Sequence, residues 1–240
     1  MEIDLGYQDK VVVFDLDDTL YQEVDYVYSA YKAIDRLLSE RYSLTPGLCF
    51  DALKKAFLCG DNPFDFLAEV LGIQSDKYTI DISELLSLYR YHEPFLKLEY
   101  QTEETINAFQ KRGIKMGIIT DGRSKTQRNK IKALSLDKYI APYNIIISEE
   151  IGFEKTSFEP FRHFVNRYPN ASEFIYIGDN PAKDFYNPNL MGWKTIMLID
   201  KGMNIHSQTE ETFYRNQVQV LLQFLLPVPQ CHPHKFPYFQ

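Results

Sequence analysis

The chain has 240 residues, 45% of them hydrophobic, and its 26 basic and 33 acidic side chains give a formal net charge of −7. This length suits an α/β core with a smaller second unit, and the apolar fraction excludes a wholly disordered chain. Nucleic-acid binding depends on neutralising phosphates, and this acidic chain has no long run of lysine and arginine. We therefore expect no nucleic-acid partner.

The cysteines and the apolar runs exclude several further classes of protein. Cys49, Cys59 and Cys231 lack the spacing of a zinc site or a disulfide framework. Residues 1–10 are acidic and carry no apolar stretch, so no signal peptide is predicted. Because no run approaches the ~18 apolar residues of a membrane helix, we expect a cytoplasmic protein without a membrane partner. The sequence does not indicate an oligomeric state.

Predicted strands alternate with predicted helices along much of the chain. Five apolar runs are predicted to be strands, at residues 11–16, 114–120, 144–148, 174–178 and 195–199. The helices predicted around them lie at residues 102–111, 125–134, 158–167 and 185–191. This alternation is typical of βαβ units, so the sequence predicts an α/β fold with a doubly wound, Rossmann-like parallel sheet.

Residues 21–100 have a different pattern from the rest of the chain. They carry amphipathic helical periodicity, for example at 27–41 and 64–71, and no strong strand. We interpret them as a helical cap domain inserted after the first strand, with residues 1–20 and 101–226 forming the catalytic core. A closing helix is predicted at 208–226. Residues 227–240 contain four prolines and are predicted to be a non-helical tail.

Polar residues follow four of the predicted strands, at the edge of the sheet where open α/β proteins bind ligands. The candidates, in chain order, are Asp15, Asp17, Thr120, Asp121, Gly122, Arg123, Lys155, Asp179 and Asp184. Crowded carboxylates repel one another unless a cation neutralises them, and a hard ion such as Mg²⁺ prefers oxygen ligands. A lysine and a hydroxyl would suit phosphate oxygens, and a carboxylate can attack phosphorus. The pattern therefore favours metal-assisted chemistry on a phosphate ester.

Four segments together resemble the signature motifs of the haloacid dehalogenase superfamily. They are FDLDDTL, IITDGR, the lysine at position 155 and IGDNPAKD, in the order typical of that family. The insertion lies between the first and second motifs, which resembles the helical-cap phosphatase branch. The basic stretch DGRSKTQRNKIKAL resembles the sugar-phosphate and nucleotide phosphatases of this branch, including the N-acylneuraminate phosphatases. One departure is Thr156, which stands where the family often has proline.

The resemblance implies a role for each matching residue. Asp15 would be the nucleophile, Asp17 the general acid and base, and Lys155 the group that orients Asp15. The implied Mg²⁺ ligands are Asp15, the backbone carbonyl of Asp17, and Asp179, with Asp184 in support. The expected substrate-binding residues are Thr120, Asp121, Gly122, Arg123 and Lys155.

The sequence thus predicts a magnesium-dependent phosphatase that hydrolyses a small phosphorylated metabolite through a phospho-aspartate intermediate. The metabolite would be a sugar phosphate or a nucleoside monophosphate. A sugar-phosphate mutase stays open as an alternative, since another hydroxyl could take the phosphoryl group from Asp15. A dehalogenase is less favoured, because it needs no acid or base at Asp17. A non-catalytic, receiver-like signalling protein is also less favoured, because its acidic residues are distributed differently over the strands.

Overall fold

The structure is a computed structural model that describes residues 9–72, 81–200, 204–206 and 208. Five parallel strands form one sheet in the order β3-β2-β1-β4-β5. The strands are β1 (Lys10–Phe14), β2 (Lys115–Thr120), β3 (Ile145–Ile147), β4 (Glu173–Gly178) and β5 (Lys194–Met197). Because β2 and β3 lie on one side of β1 while β4 and β5 lie on the other, the prediction of a doubly wound α/β fold is confirmed.

Nine α-helices occur among the described residues, four of them between β1 and the helix that leads into β2. These four are α1 (Glu23–Tyr42), α2 (Leu48–Cys59), α3 (Pro63–Val70) and α4 (Ile82–Tyr91). The others are α5 (Tyr100–Lys111), α6 (Ser124–Ala133), α7 (Ser148–Ile151), α8 (Glu159–Arg167) and α9 (Tyr186–Leu190). None of the helices in the described ranges is long and apolar enough to cross a membrane.

The sheet is buried on both faces, which explains why its strands read as continuous apolar runs. Side chains alternate along β1, so Val12 and Phe14 enter one apolar cluster while Val11 and Val13 enter another. All four side chains are at most 3% exposed. This central strand is therefore fixed on both sides immediately before the polar residues that follow it.

Helices α1 to α4 enclose an apolar cluster of their own. Val27, Tyr31, Ile34 and Leu38 repeat at intervals of three and four residues and form the buried face of α1. Local signals set the ends of the neighbouring helices. The Asn62 side chain, for example, accepts hydrogen bonds from the first backbone N–H groups of α3. The division of the chain into a core and a cap stays a prediction.

The observed elements differ from the predicted ones mainly at their ends. The strand predicted at 144–148 is shorter, because Asn144 ends a 3-10 helix (Pro142–Asn144) and Ser148 begins α7. The closing helix predicted at 208–226 lies outside the described residues except for Gln208. The tail predicted at 227–240 lies wholly outside them.

Candidate active site

A buried lysine joins two of the predicted site carboxylates. Asp15 directly follows β1, and its N–H donates to the Ile177 carbonyl oxygen at 2.8 Å, which continues the pairing of β1 with β4. The Lys155 Nζ lies 2.7 Å from Asp15 Oδ1 and 2.6 Å from Asp184 Oδ1. Burial opposes the charge on Lys155, but the two carboxylates raise its pKa well above the ordinary value. The ammonium therefore stays charged and fixes the position of Asp15.

Asp184 organises the loop that follows β4. Its side chain is fully buried, and its Oδ2 accepts the backbone N–H groups of Asp179 at 3.1 Å and Asn180 at 2.8 Å. Its Oδ1 accepts from Lys155 and, at 3.2 Å, from the Tyr176 hydroxyl. With both oxygens engaged, Asp184 is well placed to hold Asp179 and Lys155 in position.

Three buried carboxylates come together at the ends of β1 and β4. Asp15, Asp179 and Asp184 each offer an oxygen, and these atoms lie within 4.8 Å of one another. Burial and the charges of Asp184 and Asp18 raise the pKa of Asp179 to about 7. Burial also raises the pKa of Asp15; Lys155 opposes this shift, and the neighbouring carboxylates reinforce it. A group with this excess of negative charge and only oxygen donors fits a hard divalent cation.

The Asp17 carboxylate is turned towards α6 and is not part of this group of three. It accepts hydrogen bonds from the Tyr21 hydroxyl, from Gln127 Nε2 at 2.8 Å and from Lys130 Nζ at 2.7 Å. Burial alone would raise the pKa of Asp17, but Lys130 and these hydrogen bonds hold it below the ordinary value. The side chain of Asp17 therefore has a fixed orientation and favours the ionised form.

One glutamine links Asp17 to the hydroxyl at the end of β2. Gln127 is 2% exposed, and its Nε2 donates to Thr120 Oγ1 at 2.5 Å as well as to Asp17. Thr120 itself is 1% exposed and ends the strand next to β1. Gln127 thus donates both to Asp17, the predicted acid/base, and to Thr120, the predicted phosphate-binding hydroxyl.

The loop after β2 contains predicted substrate-binding residues in two different environments. Asp121 lines the site cavity, and its Oδ1 accepts the Lys155 N–H at 3.0 Å. The Gly122 N–H instead donates to Ser148 Oγ at 2.9 Å, and Arg123 is exposed immediately before α6. Neither Gly122 nor Arg123 is among the residues that line the cavity. Their contact with substrate stays a prediction.

These groups surround a cavity of about 120 Å³ at the carboxyl ends of the strands. The described residues that line it are Asp15, Asp17, Asp18, Glu23, Thr120, Asp121, Lys155, Asp179, Asn180, Lys183 and His206. Most of the predicted site residues therefore face one small polar space. Asp184 supports that space from behind, through its bonds to Lys155 and to the loop after β4.

The segment after β5 also contributes to the site. Asn204 Nδ2 donates to Asp179 Oδ2 at 2.8 Å, and the Ile205 N–H donates to Asp18 Oδ2 at 3.0 Å. Gln208 Nε2 donates to the Asp179 carbonyl oxygen at 2.7 Å. The pattern of strands gave no indication of these contacts, because they come from a loop without regular structure.

Helix α6 carries two further site residues that sequence reasoning missed, Gln127 and Lys130. They lie three residues apart and so share one face of the helix, and Lys130 is only 3% exposed. Their spacing was readable in the sequence. Their burial was not, because glutamine and lysine usually face solvent.

A parallel sheet with carboxylates at the carboxyl ends of its strands is typical of α/β enzymes. Residues 10–185 match the family of haloacid dehalogenase-like hydrolases, and the chain belongs to that family. The predicted family membership is therefore confirmed.

Curated relatives and solved structures agree with this assignment. The chain is 27% identical over 197 residues to a glyceraldehyde 3-phosphate phosphatase of Methanocaldococcus jannaschii, covering 79% of this chain and 85% of the relative. It is 26% identical to the enzyme of the same name from Methanopyrus kandleri, covering 79% of this chain and 83% of the relative. A haloacid dehalogenase-type hydrolase structure from Bacillus subtilis is 24% identical with a TM-score of 0.56, covering 84% of this chain and 90% of that one. The similarity to the Bacillus subtilis structure shows a shared fold and nothing further.

Proposed function

We propose that the protein is a magnesium-dependent phosphatase that hydrolyses a small sugar phosphate through a phosphorylated Asp15. The observation that carries the proposal is the buried Lys155, which orients Asp15 beside the Asp179 and Asp184 carboxylates. Family membership and the names of the relatives support the same reaction. Because both relatives are glyceraldehyde 3-phosphate phosphatases, we propose a triose phosphate as the first substrate to test.

In the first step, an Asp15 oxygen attacks phosphorus and forms a bond to it while the bond to the leaving oxygen breaks. Asp17, in its protonated form, gives a proton to that oxygen, so the substrate leaves as an alcohol. Lys155 keeps the Asp15 carboxylate oriented for attack. Thr120, held by Gln127, would hydrogen-bond a phosphoryl oxygen.

In the second step, water attacks the phosphorus of phospho-Asp15, and the bond between phosphorus and the Asp15 oxygen breaks. Asp17, now ionised, accepts the proton from the water, and inorganic phosphate and free Asp15 are produced. Lys130 holds the pKa of Asp17 below its ordinary value, which suits this second step, because the step needs the ionised carboxylate. The first step requires Asp17 to take up a proton before it acts as the acid.

The donor set fits Mg²⁺, and the residues that would hold it are Asp15, Asp179 and the backbone carbonyl of Asp17. Asp184 would support these ligands through its bonds to the Asp179 N–H and to Lys155. When bound, the ion would supply positive charge that stabilises the phosphoryl oxygens.

We further propose that α1 to α4, within residues 21–100, act as a cap over the core formed by residues 1–20 and 101–226. Glu23, at the start of α1, lines the cavity with residues from the strand ends, which supports this arrangement. A cap that closes over substrate would exclude bulk water and strengthen the electrostatics of the site. A cytoplasmic location stays a prediction from the sequence.

The direct test is phosphate release from glyceraldehyde 3-phosphate and a panel of other phosphorylated metabolites. Wild type and Asp15→Asn are each assayed with Mg²⁺ and with a chelator. We expect release that requires both Mg²⁺ and Asp15. Folded protein that binds Mg²⁺ but releases no phosphate from any compound would contradict the proposal and favour a mutase.

A further inference from the structure

Glu23 lies at the wall of the cavity and has no role in the mechanism described so far. It is the first residue of α1, and its N–H donates to Asp18 Oδ1 at 2.8 Å, which fixes its position. Its side chain is 24% exposed and lines the cavity. Glu23 Oε1 lies 3.5 Å from the Lys130 ammonium, which is 2.7 Å from Asp17. Two carboxylates thus share one ammonium and keep one net negative charge.

The net negative charge of Asp17, Glu23 and Lys130 lies on the side of the site where the leaving group binds. Asp17 must contact the leaving oxygen if it is to protonate it, so the leaving group lies on the side of Asp17. Glu23 and Asp17 both approach the same Lys130 Nζ, and their carboxylates are therefore close neighbours. Any group attached to the leaving oxygen is then near Glu23.

Both lysines among the described residues that line the cavity are already paired with carboxylates. Of the two lysines among the described lining residues, Lys155 contacts Asp15 and Asp184, and Lys183 lies 3.7 Å from Asp121. Six of the described residues that line the cavity are acidic: Asp15, Asp17, Asp18, Glu23, Asp121 and Asp179. A second anionic group on the substrate would meet negative charge here and would be repelled at short range.

We propose that Glu23 is a specificity-determining residue that excludes leaving groups carrying a negative charge. The substrate class is then a monophosphate whose leaving alcohol is neutral and bears hydroxyl or carbonyl groups. This inference rests on the proposed phosphatase function and adds the selection of its substrate. A purely structural role, in which Glu23 only holds Lys130, predicts a different result, because its loss would slow all substrates alike.

Glyceraldehyde 3-phosphate and 3-phosphoglycerate test this distinction, since they differ at one carbon that is an aldehyde in the first and a carboxylate in the second. The kcat/KM for each is measured at about pH 8, because burial and the charge of Asp17 raise the pKa of Glu23 to about 7. We expect wild type to prefer the aldehyde by about tenfold or more. In Glu23→Gln, which keeps the shape of the side chain, we expect the preference to fall by about tenfold.

Asp25→Asn is the matched control, because it removes one negative charge from the same helix at an exposed position away from the cavity. We expect it to keep the wild-type preference. An unchanged ratio in Glu23→Gln, or equal use of both compounds by wild type, would overturn the inference while leaving the phosphatase intact. If Glu23→Gln fails to fold, Glu23→Ala is measured in its place, with the same expectation. If the protein releases phosphate from neither compound and from no other phosphate ester, the proposed function is contradicted, and this inference with it.

Discussion

The Lys130 ammonium lies 2.7 Å from the Asp17 carboxylate, and their side chains are 4% and 19% exposed. The same ammonium lies 4.4 Å from the centre of the Tyr26 ring, and the Tyr26 hydroxyl donates to the Tyr89 carbonyl oxygen at 2.8 Å. Lys130 comes from α6 of the sheet region, whereas Tyr26 and Tyr89 come from α1 and α4. The orientation of the proposed acid/base is therefore connected to the packing of the inserted helices.

Replacement of Lys130 by methionine should reduce both turnover and stability. The change leaves the Asp17 carboxylate enclosed without its cation, and breaking such a pair typically costs about 3 kcal/mol. We expect a fall in kcat of at least about tenfold, since a misplaced acid/base loses most of its contribution. Urea unfolding and steady-state kinetics measure the two effects.

Lys130→Arg is the control for this change, because it keeps the positive charge beside Asp17. We expect it to recover part of both the stability and kcat. If Lys130→Met keeps the wild-type kcat and free energy of unfolding, the contact of Lys130 with Asp17 has no role in orienting Asp17.

Replacement of Gly178 by alanine should damage the site through Asp184. An added Cβ would lie 2.5 Å from Asp184 Oδ2. Asp184 would then have to move away from the N–H groups of Asp179 and Asn180, whose hydrogen bonds it accepts. We expect a loss of about 1–3 kcal/mol in the free energy of unfolding and at least about a tenfold loss in kcat.

Gly117→Ala is the comparison, because its added Cβ would overlap the Phe164 ring in the core. This variant should lose stability but keep the turnover of its folded fraction. Equal losses of turnover in the two variants would argue against a specific effect through Asp184.

Magnesium should stabilise the protein more at high pH than at low pH. Asp179 has a pKa of about 7 in the folded protein, compared with ~3.9 in the unfolded chain. Between these values the folded state holds a proton that the unfolded state has released. The free energy of unfolding of the metal-free protein therefore falls as pH rises through this window, by up to about 1.4 kcal/mol per pH unit for this group. A cation replaces that proton and removes the penalty.

Thermal unfolding with Mg²⁺ or with chelator, at about pH 6 and about pH 8, measures this difference. We expect the larger increase in Tm at the higher pH. An equal or opposite dependence would indicate that Mg²⁺ does not replace a proton at these carboxylates.

The sheet was predictable from the sequence because its signals are local. Buried parallel strands appear as apolar runs, and the side chains that follow them must meet at one edge. Asp15, Thr120 and Asp179 are therefore placed by their positions at the ends of predicted strands alone. Lys155 follows a short strand and a short helix, but its pairing with both Asp15 and Asp184 depends on the folded loop.

The contacts around Asp17 were not predictable in the same way. Gln127, Lys130 and Tyr21 are far more often solvent-facing or packing residues than partners of a site carboxylate, and nothing in their spacing marks their burial. Asn204 reaches Asp179 from a segment without periodicity. Long-range contacts of this kind depend on tertiary packing, which a single sequence does not reveal.

The most direct test of the central claim is to look for a phosphoryl group on Asp15. Wild-type protein mixed with glyceraldehyde 3-phosphate and Mg²⁺ is quenched rapidly in acid, digested, and examined by mass spectrometry. We expect a phosphorylated peptide containing Asp15, absent without Mg²⁺ and absent in Asp15→Asn. Two results would contradict Asp15 as the nucleophile. One is phosphate release by wild type without any such peptide, and the other is undiminished phosphate release by Asp15→Asn.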